Sequence, residues 1–263
     1  MGTSSWHQVN LTFPDWNHAE QSAATDLAPI LAAACTDELI ASWFFVRKSP
    51  CWRLRYLSQT KTATPYLRSR LATLQRRGII VGASEVTYEP EQRAFGGVEA
   101  MRHAHALFHA DSRYFLAHLT ADPATAHRRE LAIMLCGVLL RAAGLDWYEQ
   151  GDVWARVAEH RDLPDTVPSG ARCALEADVR RLMSATGSRC ATPGWFDAFA
   201  AAGQDLAALA AGGRLRRGLR DVLTHHVIFA WNRHGLPAYV QAALAHRAAA
   251  IVFGPSLASG AAP

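Results

Sequence analysis

From Trp6 to Phe13 apolar and polar residues alternate, and Pro14 ends the run, which predicts an opening strand. Asp15 stands where a helix N-cap would. Residues 16–35 carry apolar side chains at helical spacing, Leu27, Ile30 and Leu31 among them. Residues 43–56 hold two apolar runs, each ending in cations and joined by Ser49-Pro50. Trp, Phe, Val and Tyr favour strands, so a hairpin is expected there. In its second arm Trp52, Leu54 and Tyr56 fall on one face, and Arg53 and Arg55 on the other.

Thr64-Pro65 opens a helix with Leu67, Leu71 and Leu74 on one face and Arg68, Arg70, Arg76 and Arg77 on the others, and Gly78 closes it. Residues 79–81 and 85–88 read as two short strands around a glycine turn. Residues 89–97 form a loop, because Pro90 and the Gly96-Gly97 pair break any period. The pattern then turns helical over 98–109 and 123–145. A loop-rich link is expected over 151–171, which holds Pro164, Pro168 and Gly170. Helices follow over 173–185 and 195–211, and again over 218–252, where Gly235-Leu236-Pro237 must break or kink the pattern. A Gly, Ala, Ser and Pro tail covers 254–263. Strands first and helices later, without regular alternation, predict an α+β fold. The expectation is a single domain over residues 1–263, with a core of about 5–253, in which a β-rich N-terminal part packs with a helix-rich C-terminal part.

Composition changes this picture little. Half of the 263 residues are hydrophobic and 19% are charged, as in an ordinary globular chain long enough to bury a core. No apolar run reaches membrane-spanning length, and residues 1–10 show no basic stretch leading into an apolar one, so a cytoplasmic location and no membrane partner are expected. The five cysteines are widely spaced with no Cys-x-x-Cys pair, and read as reduced thiols. The formal charge of +4 permits an acidic peptide without demanding a nucleic acid.

Three stretches carry candidate chemistry. Arg53 and Arg55 repel each other on a rigid strand unless something anionic lies between them. They are either a solvated strand face or a floor for a carboxylate, which the planar guanidinium fork matches. Arg93 sits just before Gly96-Gly97, whose backbone can approach a ligand closely. A loop arginine among acids is otherwise a surface ion pair of small consequence. In 224–233, on a helix, His225 shares a face with Phe229 and Asn232, and His226 with Ala230 and Arg233. A histidine on an apolar helix face is usually a core residue, but an adjacent pair followed by Asn-Arg is less easily set aside. His105 and His109 stand at metal-ligand spacing without a third ligand pattern, and no metal is expected there.

The order of these stretches resembles a known family. Trp43-x-Phe45-x-Arg47 comes first, then residues 52–56 and 88–97, then Phe108-x-Ala110-Asp111-Ser112, then the run from His225 to Leu236. This resembles the C-terminal domain of class I lanthipeptide dehydratases, and more closely its free-standing form, the thiopeptide-type bacteriocin biosynthesis proteins. The resemblance spans roughly residues 5–253 and rests on order and spacing rather than on any one motif. It implies glutamate elimination. A separate, larger protein esterifies Ser or Thr of a precursor peptide with glutamate from glutamyl-tRNA, and this domain removes the glutamate to leave dehydroalanine or dehydrobutyrine. The partners implied are the precursor peptide, with its leader and glutamylated core, and that separate glutamylating protein. Direct nucleic-acid binding is not implied, nor is a cofactor. The family's elimination arginines correspond to Arg53, Arg55 and Arg93, and its C-terminal histidine to His225 or His226. His226 is preferred because Ala230 and Arg233 leave room beside it, whereas His225 is flanked by Phe229; all these groups are expected to line one cleft. Ala94-Phe95 departs from the Tyr that many members carry before Gly-Gly. Two other readings stay open. One is a formal 4+2 cycloaddition building the pyridine of a thiopeptide, whose catalysts have departed from the elimination residues kept here. The other is a non-catalytic peptide-binding subunit of a split dehydratase.

Overall fold

The computed structural model describes residues 5–121, 127–161, 179–185 and 193–254. The chain groups into two compact units, Met1–Pro90 with Phe108–Thr125 and Glu91–Leu107 with Ala126–Pro263. The fold is α+β, and among the described residues strands are confined to the N-terminal part while helices dominate the C-terminal part.

The first unit is built on a four-stranded antiparallel sheet in the order β2-β3-β1-β4, with β1 Ser5–Thr12, β2 Ile40–Lys48, β3 Cys51–Ser58 and β4 Gly82–Val86. The expected opening strand and hairpin are present, and β3 pairs centrally between β1 and β2. The helix expected over 16–35 is present as α1 Ala19–Ser22 and α2 Ala28–Thr36, joined through a π-helical turn, Ala23–Leu27. Asp15 does not cap it. Its carboxylate accepts from Asn17 N–H (2.8 Å) and meets His18 Nδ1 (2.5 Å), ordering the turn that precedes α1. α3 Ala63–Arg76 buries Leu67, Leu71 and Leu74, and Gly78 follows it at φ +72°, as a helix stop requires. Only one strand forms where two were expected. Residues 79–81 are irregular, and β4 begins at Gly82, because the apolar Ile80 is spent on burial rather than on pairing.

α4 Val98–Ala121 is much longer than the expected 98–109, since nothing in residues 110–121 breaks the period; residues 98–107 group with the second unit and 108–121 with the first. The second unit otherwise comprises α5 Arg128–Ala142, α6 Trp147–Glu159, a helical stretch at 179–184, α7 Pro193–Ala211, α8 Leu219–Arg233 and α9 Ala238–Phe253. α6 stands where a link was expected. Asp146 accepts from Glu149 N–H and Glu149 returns to Asp146 N–H, a capping box that starts an amphipathic helix burying Val153, Trp154 and Val157. Residues 162–171 of that link, and residues 173–178 of the expected helix, lie outside the described residues. Trp154 stacks on Trp231 at 5.7 Å, joining α6 to α8 in the core of this unit. The expected break falls after α8, with Gly235 at φ +70°. No described helix is long and apolar enough to cross a membrane.

Candidate functional site

The candidate residues fall into two groups, one in each unit. In the first unit the antiparallel register sets Arg53 opposite Asn10 and Val46, and Arg55 opposite Gln8 and Phe44. Side chains two apart share a sheet face, so both arginines stand on the face opposite Trp52, Leu54 and Tyr56, which are buried. Their surroundings differ. Arg55 is 3% exposed, its Nε–H donates to Gln8 Oε1 at 2.8 Å, and its guanidinium lies 4.3 Å from the Tyr88 ring centre and 5.4 Å from that of Phe44. Gln8 Nε2 in turn donates to Asn10 Oδ1 at 3.0 Å. Arg55 is therefore held in place by amide and aromatic neighbours, worth about 1–2 kcal/mol for a desolvated cation over a ring.

Arg53 is half-buried, and among the described residues its Nε is buried without a hydrogen-bond partner and its side chain makes no ion pair. A buried donor left unmet costs about 1–3 kcal/mol, so this group stands ready for an acceptor. Arg47 takes another course. It pairs with Glu20 and lies 5.1 Å from the Trp52 ring centre, on the other face of the sheet. Gln8 and Asn10 were not singled out from the sequence, and Tyr88 entered only as the first residue of the 88–97 motif. The alternation of β1 marks Gln8 and Asn10 as polar positions on one face, but only the register sets them beside arginines.

In the second unit Phe95 is fully buried, with its ring 4.9 Å from those of His226 and Phe229 and 6.3 Å from that of His225. A hydroxyl, which Tyr would bring, is thus absent from an aromatic contact. Gly96 and Gly97, at φ +86° and +112°, let the loop approach its own chain. Gly96 C=O accepts from Arg216 N–H at 2.8 Å, and a Cβ on Gly96 would meet Leu215 and Val222 at 3.0 Å. The close approach expected for a ligand is therefore made to residues 215–222. Arg93 is exposed and its side chain makes no hydrogen bond among the described residues.

The room expected beside His226 is absent. His226 is 1% exposed, as is Arg233, because the small Ala230 face of α8 is the one packed inward. Burial first, then the Arg233 charge, pushes the His226 pKa down from 6.5 to about 3. His225 is the half-buried one, beside half-buried Phe229. Its Nδ1 lies 3.0 Å from Asp221 C=O, and a carbonyl only accepts, so Nδ1 carries the hydrogen and Nε2 the lone pair. Burial, followed by the nearby charges of Arg217 and His160 against the pull of the Asp221 carbonyl, lowers the His225 pKa. It is a neutral base at neutral pH. The His160 ring, 5.9 Å away, belongs to this surround and no sequence signal marked it.

His105 and His109 form no metal cluster among the described residues. His109 Nδ1 lies 3.1 Å from Trp43 N and 2.9 Å from Trp43 O, and burial lowers its pKa. Cys35 and Cys51 are free thiols.

An α+β chain with an arginine-bearing sheet face and a helical histidine pair defines a class able to hold a carboxylate and to move a proton. The family model described as lantibiotic biosynthesis dehydratase C-term matches residues 6–252, and the chain belongs to that family. Membership ties it to the dehydratases of lantibiotic biosynthesis. Among solved structures it is similar to the tRNA-dependent lantibiotic dehydratase MibB from Microbispora sp. 107891, at 18% identity and TM-score 0.68. That match covers 96% of this chain and 28% of MibB, so the chain spans little more than a quarter of that protein. It is also similar to TsrL, at 16% identity and TM-score 0.61, over 99% of both chains. These likenesses show a shared fold. No curated protein matches the chain.

Proposed function

We propose that the chain is a lyase that eliminates glutamate from glutamylated Ser and Thr of a ribosomally made precursor peptide, in the cytoplasm, beside a separate protein that installs the glutamate. The observation that carries this reading is Arg53, a strand-held guanidinium whose buried Nε–H has no acceptor among the described residues, two residues from the fixed Arg55. A cation presented this way suits the carboxylate of a glutamyl ester. In the reaction a base takes the Cα hydrogen as a proton. The C–H electron pair becomes the Cα–Cβ double bond as the Cβ–O bond breaks, and glutamate departs as a carboxylate, which needs no proton of its own. Arg53 and Arg55 hold that carboxylate and the negative charge that develops. Arg93, exposed on its loop, adds a further cation for the same anionic substrate. His225 is the base, through Nε2, and His226 supports it from the core. No step requires a redox or metal group.

The test uses a peptide already glutamylated and follows glutamate release by each variant. His225→Ala should slow release by about 10²–10⁴, the usual loss of a general base. Arg53→Lys keeps the charge but loses the fork, and should also impair release. If His225→Ala and His226→Ala both release glutamate at the wild-type rate, the histidine assignment is wrong. If wild-type protein with the fold intact releases none, the lyase reading is wrong.

A further inference from the structure

The two edges of the sheet are treated differently. Along β2 the amides of Trp43 and Phe45 meet His109 Nδ1 (3.1 Å) and Ser112 Oγ (3.3 Å) of α4. The edge formed by β4 has no such cover. Ala83, Ser84, Glu85 and Val86 are exposed, and among the described residues no further hydrogen bond reaches its backbone. Exposed edges are usually blunted by Lys, Pro or a bulge. Gly82-Ala83-Ser84-Glu85-Val86 has none of these, and its one charge is tied to Arg68 at 2.8 Å. Val81 and Val86, beside and at its two ends, are 57% and 41% exposed.

Two hollows border this strand. One, of about 330 Å³, is lined by Leu67, Leu71, Ala72 and Gln75 of α3 together with Ala83 and Glu85. The other, of about 490 Å³, lies towards the Val86 end, where Tyr56 and Glu85 line it as they do the first, together with His7, Gln8, Val86 and Tyr88. A strand added to β4 would pass both hollows, and every second side chain, on the α3 side, would enter the first. The rim is basic. Arg68, Ala72 and Arg76 follow one another at four-residue steps along α3, small Ala72 between two exposed guanidiniums, and among the described residues Arg76 bonds only Thr73 Oγ1 (2.8 Å).

We infer that the outer edge of β4 takes an extended, acidic segment of the precursor peptide, remote from its reacting residues, as a fifth strand. Main-chain bonds to β4 supply affinity, the hollows take side chains, and Arg76, with Arg68 in its exposed pair with Glu85, favours carboxylates. Only the identity of the peptide rests on the elimination reading; the open edge, the hollows and the arginines do not. The test measures binding of a labelled synthetic leader peptide to the full chain by fluorescence anisotropy, with no turnover involved. Reversing both charges, Arg68→Glu with Arg76→Glu, should weaken binding about tenfold or more, since two exposed attractions become repulsions. Methylating alternate peptide amides should abolish binding in one register and spare it in the other. Release of glutamate from a short glutamylated core without leader should be unchanged in the double variant. Equal affinity of variant and wild type, or indifference to both methylation registers, overturns the inference. So does a concentration-dependent dimer that the double variant abolishes, which would give the edge to a second copy.

Discussion

Arg53 and Arg55 look equivalent in sequence and are not equivalent in place. Arg55→Ala removes a cation stacked on Tyr88 and strips Gln8 of its donor, so it should lower stability by about 1–3 kcal/mol as well as activity. Arg53→Ala leaves no partner behind and should spare the melting temperature while impairing glutamate release; thermal melts beside activity assays separate the two. The histidines divide in the same way. As a base with a lowered pKa, His225 should give a kcat/KM profile flat above neutrality and falling on the acid side with a midpoint below 6.5. His226, which supports that base from the core, acts on stability as well. It titrates at 6.5 when unfolded and about 3 when folded, so the unfolded chain binds the extra proton between those values. Its contribution is complete above pH 6.5 and is lost as pH falls towards 3. His226→Gln should therefore show a shallower fall of melting temperature with acid than wild type. Both histidines were visible in the sequence, but which one faced inward was not: Ala230 reads as space on a helix drawn alone, and as the packed face in a bundle.

At the scale of elements, period and punctuation were legible wherever one face of an element stays apolar. β1, the β2–β3 hairpin, α3 and the α8–α9 break all follow from alternation, heptad-like leucines and glycines. α6 was missed although Asp146 and Glu149 signal a capping box, because prolines downstream weighted the whole segment as a link. Asp146→Ala should cost about 1 kcal/mol, read from chemical denaturation. β4 was misplaced because Ile79-Ile80-Val81 has strand composition but serves as burial and approach. The glycine pair was read as a place where a ligand approaches closely, and the atoms that approach it here are side chains of Leu215, Arg216 and Val222. Gly96→Ala should destabilise by more than about 1 kcal/mol, since φ is positive and the new Cβ meets two side chains at 3.0 Å.

For the whole molecule, the α+β class was legible from strands preceding helices, whereas the grouping into two units was not. α4 explains why: one uninterrupted helical period supplies residues to both, and periodicity carries no mark of where contacts change partners. The division also assigns the two kinds of chemistry separately, arginines of β3 to the first unit and Arg93 with the histidines to the second. The central claim is that these groups serve one elimination. Its most direct measurement gives the wild-type chain alone a precursor peptide glutamylated at serines deuterated on Cα, and follows peptide mass and free glutamate together. The account predicts one glutamate released for each dehydroalanine formed, with deuterium lost from Cα and a slower rate than for the protiated ester. Glutamyl adducts that persist, or a ring product formed without glutamate release, would contradict it.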